Sequence, residues 1–327
     1  MISCLRRAGV EVVERHEPVW EGRVHKFGAG AGTALRLGLA QARLRRGRQD
    51  GWDAVVVGYP GHFDLGAARR AARGAPVVFN PLVSLWDTLV EDRRRFRSDS
   101  AAARALRAID RRALRAADLV VADTEANADF LAELGGIPRD RVAVCLVGAE
   151  ERLFRPGWRG GGAPLFVGKL IPLHGLETIL AARRRVRVVG SGQLEALLRS
   201  RPPEVEWIPW VEYERLPEEL LRAGCALGIF GTTPKAARVI PNKAFQALAC
   251  GVPLVTADTP AARELLVDGE SALLVPAGEP AALAAALDRL EDRVFADRIA
   301  GGGLAAYRAR ASEEVLGARW RSLLESL

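Results

Sequence analysis

The chain has 327 residues, 49% of them apolar, with 33 glycines and 18 prolines. This composition excludes a disordered or collagen-like protein and leaves room for two domains with tight connections. The net charge of +7 is carried mostly by arginine and lies mainly in residues 1–156; it fits solvated helix faces or contact with an anionic membrane or acceptor, with nucleic acid the least favoured partner.

In chain order, Ile2–Ala8 reads as a helix leading into a strand at Val10–Val13. A doubly wound domain normally opens with a strand and a glycine turn, and none precedes this helix, so the first strand of the N-terminal domain is expected to be missing, through an upstream start or an incomplete domain. The N-terminus lacks the apolar segment of a secretory signal, and no apolar run reaches the roughly 18 residues of a membrane span. The expected location is cytoplasmic, with peripheral contact at the inner face of a membrane through the basic half. Cys4, Cys145, Cys225 and Cys250 are scattered, which suits buried thiols rather than a metal site.

Apolar, β-branched runs at Ala54–Gly58, Val77–Phe79, Leu119–Ala122 and Val142–Val147 alternate with helical stretches such as Arg104–Arg115, the pattern of a parallel sheet covered on both faces. Residues 152–163, with Pro156 and four glycines, read as a linker. The alternation then resumes, with strands at Leu165–Val167, Val186–Val189, Val205–Ile208, Ala226–Phe230, Leu254–Ala257 and Ala272–Val275. Helices are expected near Leu176–Ala182, Gln193–Ser200, up to Ala223, at Pro241–Cys250, at Ala261–Val267, and from there to the end. The expected division is 1–156, 157–312 and a last helix within 313–327 that packs back on the first domain.

Ligands of open α/β sheets bind at the carboxyl ends of strands, so three turns attract attention. In Val167-Gly168-Lys169-Leu170-Ile171-Pro172-Leu173-His174, Lys169 is placed for a phosphate with His174 beside it. In Val189-Gly190-Ser191-Gly192-Gln193, two glycines allow backbone N–H groups to approach an anion, although simple tight packing explains such a turn equally well. After the strand ending at Phe230, Pro241 suits the first position of a helix and Gly251 its C-terminal cap. Asn242 and Gln246 then share one face, with Lys243 and the upstream Arg238 adding positive charge at the N-terminal end. A ribose joined to a diphosphate has those needs; the bland alternative is an amphipathic surface helix.

From about Ala117 to Leu287 the chain resembles glycosyltransferase family 4, retaining enzymes of the GT-B fold with two facing Rossmann-like domains. The likeness rests on Ala-Asp-Leu-Val-Val-Ala-Asp-Thr at 117–124, Val-Gly-Lys at 167–169, Val-Gly-Ser-Gly at 189–192 and Lys-Ala-Phe-Gln-Ala-Leu-Ala-Cys-Gly-Val-Pro-Leu-Val-Thr at 243–256. Arg-Glu-Leu-Leu at 263–266 and Leu-Leu-Val-Pro-Ala-Gly at 273–278 complete it. The resemblance implies transfer of a sugar from a nucleotide-diphosphate sugar to a glycan, lipid-linked or small-molecule acceptor, with no cofactor and no metal. It places Lys169 at a phosphate-binding position and His174 where a second lysine usually stands. The family's paired glutamates fall on Arg238 and Gln246, a departure that marks a subgroup.

Lys169 and Arg238 are therefore the expected stabilisers of the leaving diphosphate, with Gly168, His174, Gly190, Ser191, Gly192, Asn242, Lys243 and Gln246 completing the donor site. His62 and Asp87, in loops after strands of the first half, are the catalytic or acceptor-positioning candidates there. Two rivals remain: a nucleotide-sugar epimerase, disfavoured by the missing carboxylates, and a non-catalytic binding subunit.

Overall fold

The computed structural model describes residues 1–19, 31–46 and 51–327. The valine-rich runs of the first half form β1 (Val55–Val57), β2 (Val77–Phe79), β3 (Leu119–Ala122) and β4 (Val142–Val144), all parallel and in spatial order β1-β2-β3-β4. With them run α1 (Ile2–Arg7), α2 (Ala31–Arg46), α3 (Leu65–Ala72), α4 (Ala101–Ala116) and α5 (Glu125–Gly135). Val78, Phe79, Val120 and Val121 are fully buried because apolar layers cover both faces.

The second sheet holds β5 (Leu165–Val167), β6 (Val186–Val189), β7 (Val205–Ile208), β8 (Ala226–Leu227), β9 (Leu254–Ala257) and β10 (Leu273–Val275) in the order β10-β9-β8-β5-β6-β7. Around it pack α6 (Leu176–Ala181), α7 (Ala196–Arg199), α8 (Leu216–Arg222), α9 (Asn242–Ala249), α10 (Pro260–Arg263), α11 (Pro280–Arg289) and α12 (Arg293–Arg310). The chain builds outward from β5 to β7 and then returns to lay β8 on the other side of β5. That reversal creates a crevice at the carboxyl ends of β5 and β8, and the Lys169 and Arg238 loops leave from those two strands.

Some local expectations are corrected. Val10–Val13 is not a strand: Val10 N–H closes α1 on the Leu5 carbonyl, and Val10 and Val12 lie against the apolar layer that includes Leu316 and Trp320 of the last helix, α13 (Glu313–Glu325). Strand β8 stops at Leu227; just beyond it Gly228 still donates to Val255 O and runs so close to β9 that a Cβ there would lie 2.3 Å from Thr256 Oγ1. The helix expected over Gln193–Ser200 is confined to α7, that over Ala261–Val267 to α10, and β4 ends at Val144.

Helix α13 lies on the first sheet. Leu316, Trp320 and Leu323 join Cys4, Leu5, Val78, Val121 and Cys145 in one apolar layer, and Gly317 lets α1 approach, since a Cβ there would meet the Cys4 carbonyl at 2.4 Å. A second tie pins the halves beside the crevice. The free first-turn amides of α5, Glu125 N–H and Ala126 N–H, donate to the Glu264 carboxylate at 2.8 and 3.0 Å, where the helix dipole favours a negative charge. Thr124 Oγ1 caps α5 by accepting from Asn127 N–H and donates to the Arg238 carbonyl at 2.5 Å.

Candidate active site between the sheets

The two glycine turns interlock. Gly168, Gly190 and Gly192 have φ of 148°, 144° and 151°, and a Cβ on Gly190 would stand 1.9 Å from the Gly168 carbonyl. Only glycine fits there. Gly168 N–H donates to Val189 O and Gly190 N–H to Ile208 O, while Leu170 N–H donates to Ser191 O. The Gly168 and Leu170 N–H groups thus hold the first turn on the second and the Gly190 N–H is spent on β7, so the glycines serve close packing rather than offering those amides to an anion. Ser191 is exposed at the tip.

His174 is buried, its ring edge-on to Phe166, with Nδ1 against the Lys169 carbonyl. A carbonyl only accepts, so Nδ1 carries the proton. Burial, with Lys243 and Arg93 nearby, pushes the imidazole pKa well below its usual value and keeps the ring neutral, leaving Nε2 an acceptor. His174 thus fixes the main chain of the loop that presents Lys169.

Helix α9 carries Asn242 exposed, Gln246 half-buried beside the Tyr213 hydroxyl, and Lys243 wholly enclosed. Lys243 Nζ sits 3.6 Å from the centre of the Phe166 ring, directly beneath Gly168, and has no hydrogen-bond partner. Burial lowers its pKa far below that of a free lysine.

Arg238 and Asp87, far apart in sequence, meet across the cleft: Arg238 Nη2 donates to Asp87 Oδ1 at 2.7 Å, and the guanidinium lies 3.9 Å over the Phe130 ring. Lys235, from the same loop as Arg238, stands 3.8 Å from Asp87 Oδ2 and donates to Thr88 Oγ1 at 2.5 Å. Asp87 opens a six-residue π-helix, Asp87–Asp92, whose far end carries the buried Asp92. Such wide turns recur at functional sites. Burial and the opposing Asp87 charge raise the Asp92 pKa, while Lys235 and Arg93 lower it.

His62 does not face the cleft as a free base. Its side chain is 2% exposed, with Nε2 3.3 Å from Asp110, and burial lowers its pKa. Asp110 also accepts from Ser84 Oγ at 2.7 Å and from the Leu85 and Trp86 amides, and Ser84 Oγ in turn accepts from Asp87 N–H at 3.0 Å. His62 thus acts through Asp110 and Ser84 on the main chain that bears Asp87. Sequence reasoning missed Asp110, Lys235 and Asp92; the signal for Asp110 was its place as the lone acid in an arginine-rich amphipathic helix. Among the described residues no group of His, Cys, Asp or Glu is arranged to hold a metal ion, and no helix is long and apolar enough to cross a membrane.

A family model described as glycosyl transferase 4-like domain matches residues 1–148, and one described as glycosyl transferases group 1 matches residues 165–293. The chain belongs to the group 1 glycosyltransferases. Within this family it is 30% identical over 225 residues to a D-inositol 3-phosphate glycosyltransferase of Thermomonospora curvata, a match covering 58% of this chain and 52% of that protein. It is 29% identical over 317 residues to a GDP-mannose-dependent alpha-mannosyltransferase of Mycobacterium tuberculosis, covering 85% and 79%. The chain spans about half the length of the first of these relatives.

Two solved structures share its fold: Anabaena HepE in complex with UDP-glucose (TM-score 0.68, 17% identity, 89% of this chain and 82% of that one) and sucrose-phosphate synthase of Thermosynechococcus elongatus (0.70, 16%, 90% and 78%). The group 1 fold is GT-B, here with sheets of four and six strands.

Proposed function

We propose that this glycosyltransferase moves a sugar from a nucleotide-diphosphate sugar to an acceptor with retention of configuration. The observation that carries the reading is the meeting of Lys235 and Arg238 with Asp87 of the first half at the switch point of the second sheet, where the loop after β5 also brings Lys169. A leaving diphosphate accumulates negative charge, and fixed cations in a water-poor cleft stabilise it without reorganisation.

Lys169 and Arg238 are assigned to the phosphates, Asn242 and Gln246 to the nucleoside hydroxyls, and Gly168, Gly190, Ser191, Gly192, His174 and Lys243 to the scaffold of that site. Asp87, made rigid by Ser84, Asp110 and His62, is the carboxylate that faces the transferred sugar and the acceptor. Charge stabilisation by side chains makes a bound metal unnecessary in this reading. Among relatives, one is named for GDP-mannose and one fold neighbour holds UDP-glucose, which makes these two donors the first to test. The acceptor is a glycan, a lipid-linked or a small molecule, approached from the basic first half.

The test is donor turnover by the purified chain, with UDP-glucose and GDP-mannose, in acceptor mixtures. Release of nucleoside diphosphate that depends on acceptor supports the proposal. Sugar conversion without acceptor identifies an epimerase, and nucleotide binding without turnover under any acceptor identifies a binding subunit.

A further inference from the structure

We infer that Arg93, supplied from the first sheet's side of the cleft, is a ligand for the donor's diphosphate. The inference rests on the donor-site reading above and adds to it a cation that crosses from the opposite half.

Arg93 begins an arginine run with Arg94 and Arg95, and it differs from both. Arg94 and Arg95 are exposed, whereas Arg93 is half-buried with its Nε enclosed and without a hydrogen-bond partner. The turn is built to this end: Arg93 N–H closes the π-helix on the Thr88 carbonyl, and Arg94 takes a left-handed φ of 49°, unusual for a side chain of its size. The Arg93 carbonyl accepts from Gln193 Nε2 at 3.2 Å, which sets the residue on the Gly190–Gln193 turn of the donor side. Its charge is felt on both sides of the cleft, by His174 and Lys235 across it and by Tyr59 and Asp92 on its own side.

Among the described residues Arg93 makes no ion pair. Asp87, the cleft carboxylate nearest the other cations, is already taken by Arg238 and Lys235. A guanidinium stays charged in proteins; the buried carboxylate beside it, Asp92, is shared with Lys235, so the half-buried Arg93, its Nε unsatisfied, can take a further anion. The adjoining loop presents Lys169, and Lys243, also unpartnered, lies beneath that loop. A guanidinium offered from the first half opposite the Lys169 loop of the second suits a ligand with two linked phosphates better than a single anion held from one side.

The experiment titrates the wild-type chain, Arg93→Met and Arg93→Lys with UDP, GDP and inorganic pyrophosphate by calorimetry, and with uridine and guanosine by ligand-observed NMR. Thermal unfolding of each variant is followed in parallel. Loss of one charge-assisted contact predicts diphosphate binding weakened roughly ten- to a hundredfold in Arg93→Met, with partial recovery in Arg93→Lys and nucleoside binding unchanged. Because the contact to Gln193 is made by main chain, the Met variant is expected to fold; should it unfold, a loss of diphosphate affinity in Arg93→Lys at unchanged Tm carries the test. Equal diphosphate affinity in all three chains overturns the role of Arg93 alone. Equal loss for nucleoside and diphosphate overturns it too, by showing a structural effect. Failure of the wild-type chain to bind either nucleotide overturns the donor-site reading and this inference with it.

Discussion

Replacing Lys243 by methionine should make the empty protein more stable and the donor site worse. The Nζ group is enclosed against Phe166 with no hydrogen-bond partner, and its pKa is pushed far down by burial. Methionine matches the length of the side chain and removes an unsatisfied polar group, whose burial costs about 1–3 kcal/mol by mutational measures. At about 2–4 °C per kcal/mol for a domain of this size, the gain is several degrees in Tm. In the unfolded chain the lysine binds its proton up to about pH 10.5, whereas in the folded chain it has released it at a lower pH. Wild-type stability therefore rises with pH through the alkaline range, and the advantage of Lys243→Met narrows from pH 7 towards pH 10.

A bound diphosphate favours the charged amine, so nucleotide binding by the wild-type chain should take up protons, measured by calorimetry in buffers of different ionisation enthalpy, and Lys243→Met should abolish that uptake. A variant less stable than wild type at neutral pH, with nucleotide binding and proton uptake unaltered, would refute the reasoning.

Three further outcomes follow from the geometry. Asp87→Asn and Arg238→Met should be strongly non-additive in unfolding free energy, with a coupling of about 1.5–3 kcal/mol from the buried charged hydrogen bond; additive effects would mean the pair is not formed. Gly190→Ala should cost about 3 kcal/mol or more, since its Cβ would collide with the Gly168 carbonyl and its φ is 144°, whereas Ser191→Ala at the exposed tip should be near neutral; comparable melting temperatures for the two would contradict the interlocked turns. Burial raises the Asp123 pKa from 3.8 to about 6, so its favourable contribution is complete below pH 4 and lost as pH rises through 6. Asp123→Asn should erase that dependence, worth about 3 kcal/mol between those limits, in denaturant titrations across the range.

The sheets were legible because buried parallel strands are short β-branched runs, and β2, β3, β5, β6, β7 and β9 have the bounds read from sequence. Helix α9 was legible from Pro241 and Gly251, although Pro241 is its N-cap rather than its first helical residue. Val10–Val13 misled because the alternation that makes a half-buried strand also suits an extended segment covered by α13. At the site, glycine turns and cations placed after strands gave Gly168, Lys169, Gly190, Arg238 and Lys243 their positions, but not what their atoms bond to. The roles of Asp110, Lys235 and Arg93 depend on contacts between segments remote in sequence, and in a chain rich in arginine an inward-turned Arg93 looks like its exposed neighbours. His62 drew attention by residue type alone, whereas its chemistry is set by Asp110 on α4.

The most direct test of the central claim is calorimetric titration of the purified chain with UDP and GDP, alongside Lys169→Ala and Arg238→Ala. Saturable binding of one nucleoside diphosphate is expected, weakened at least tenfold by each substitution while the fold is retained. A folded wild-type chain that binds neither nucleotide, or variants that bind as tightly as wild type, would contradict it.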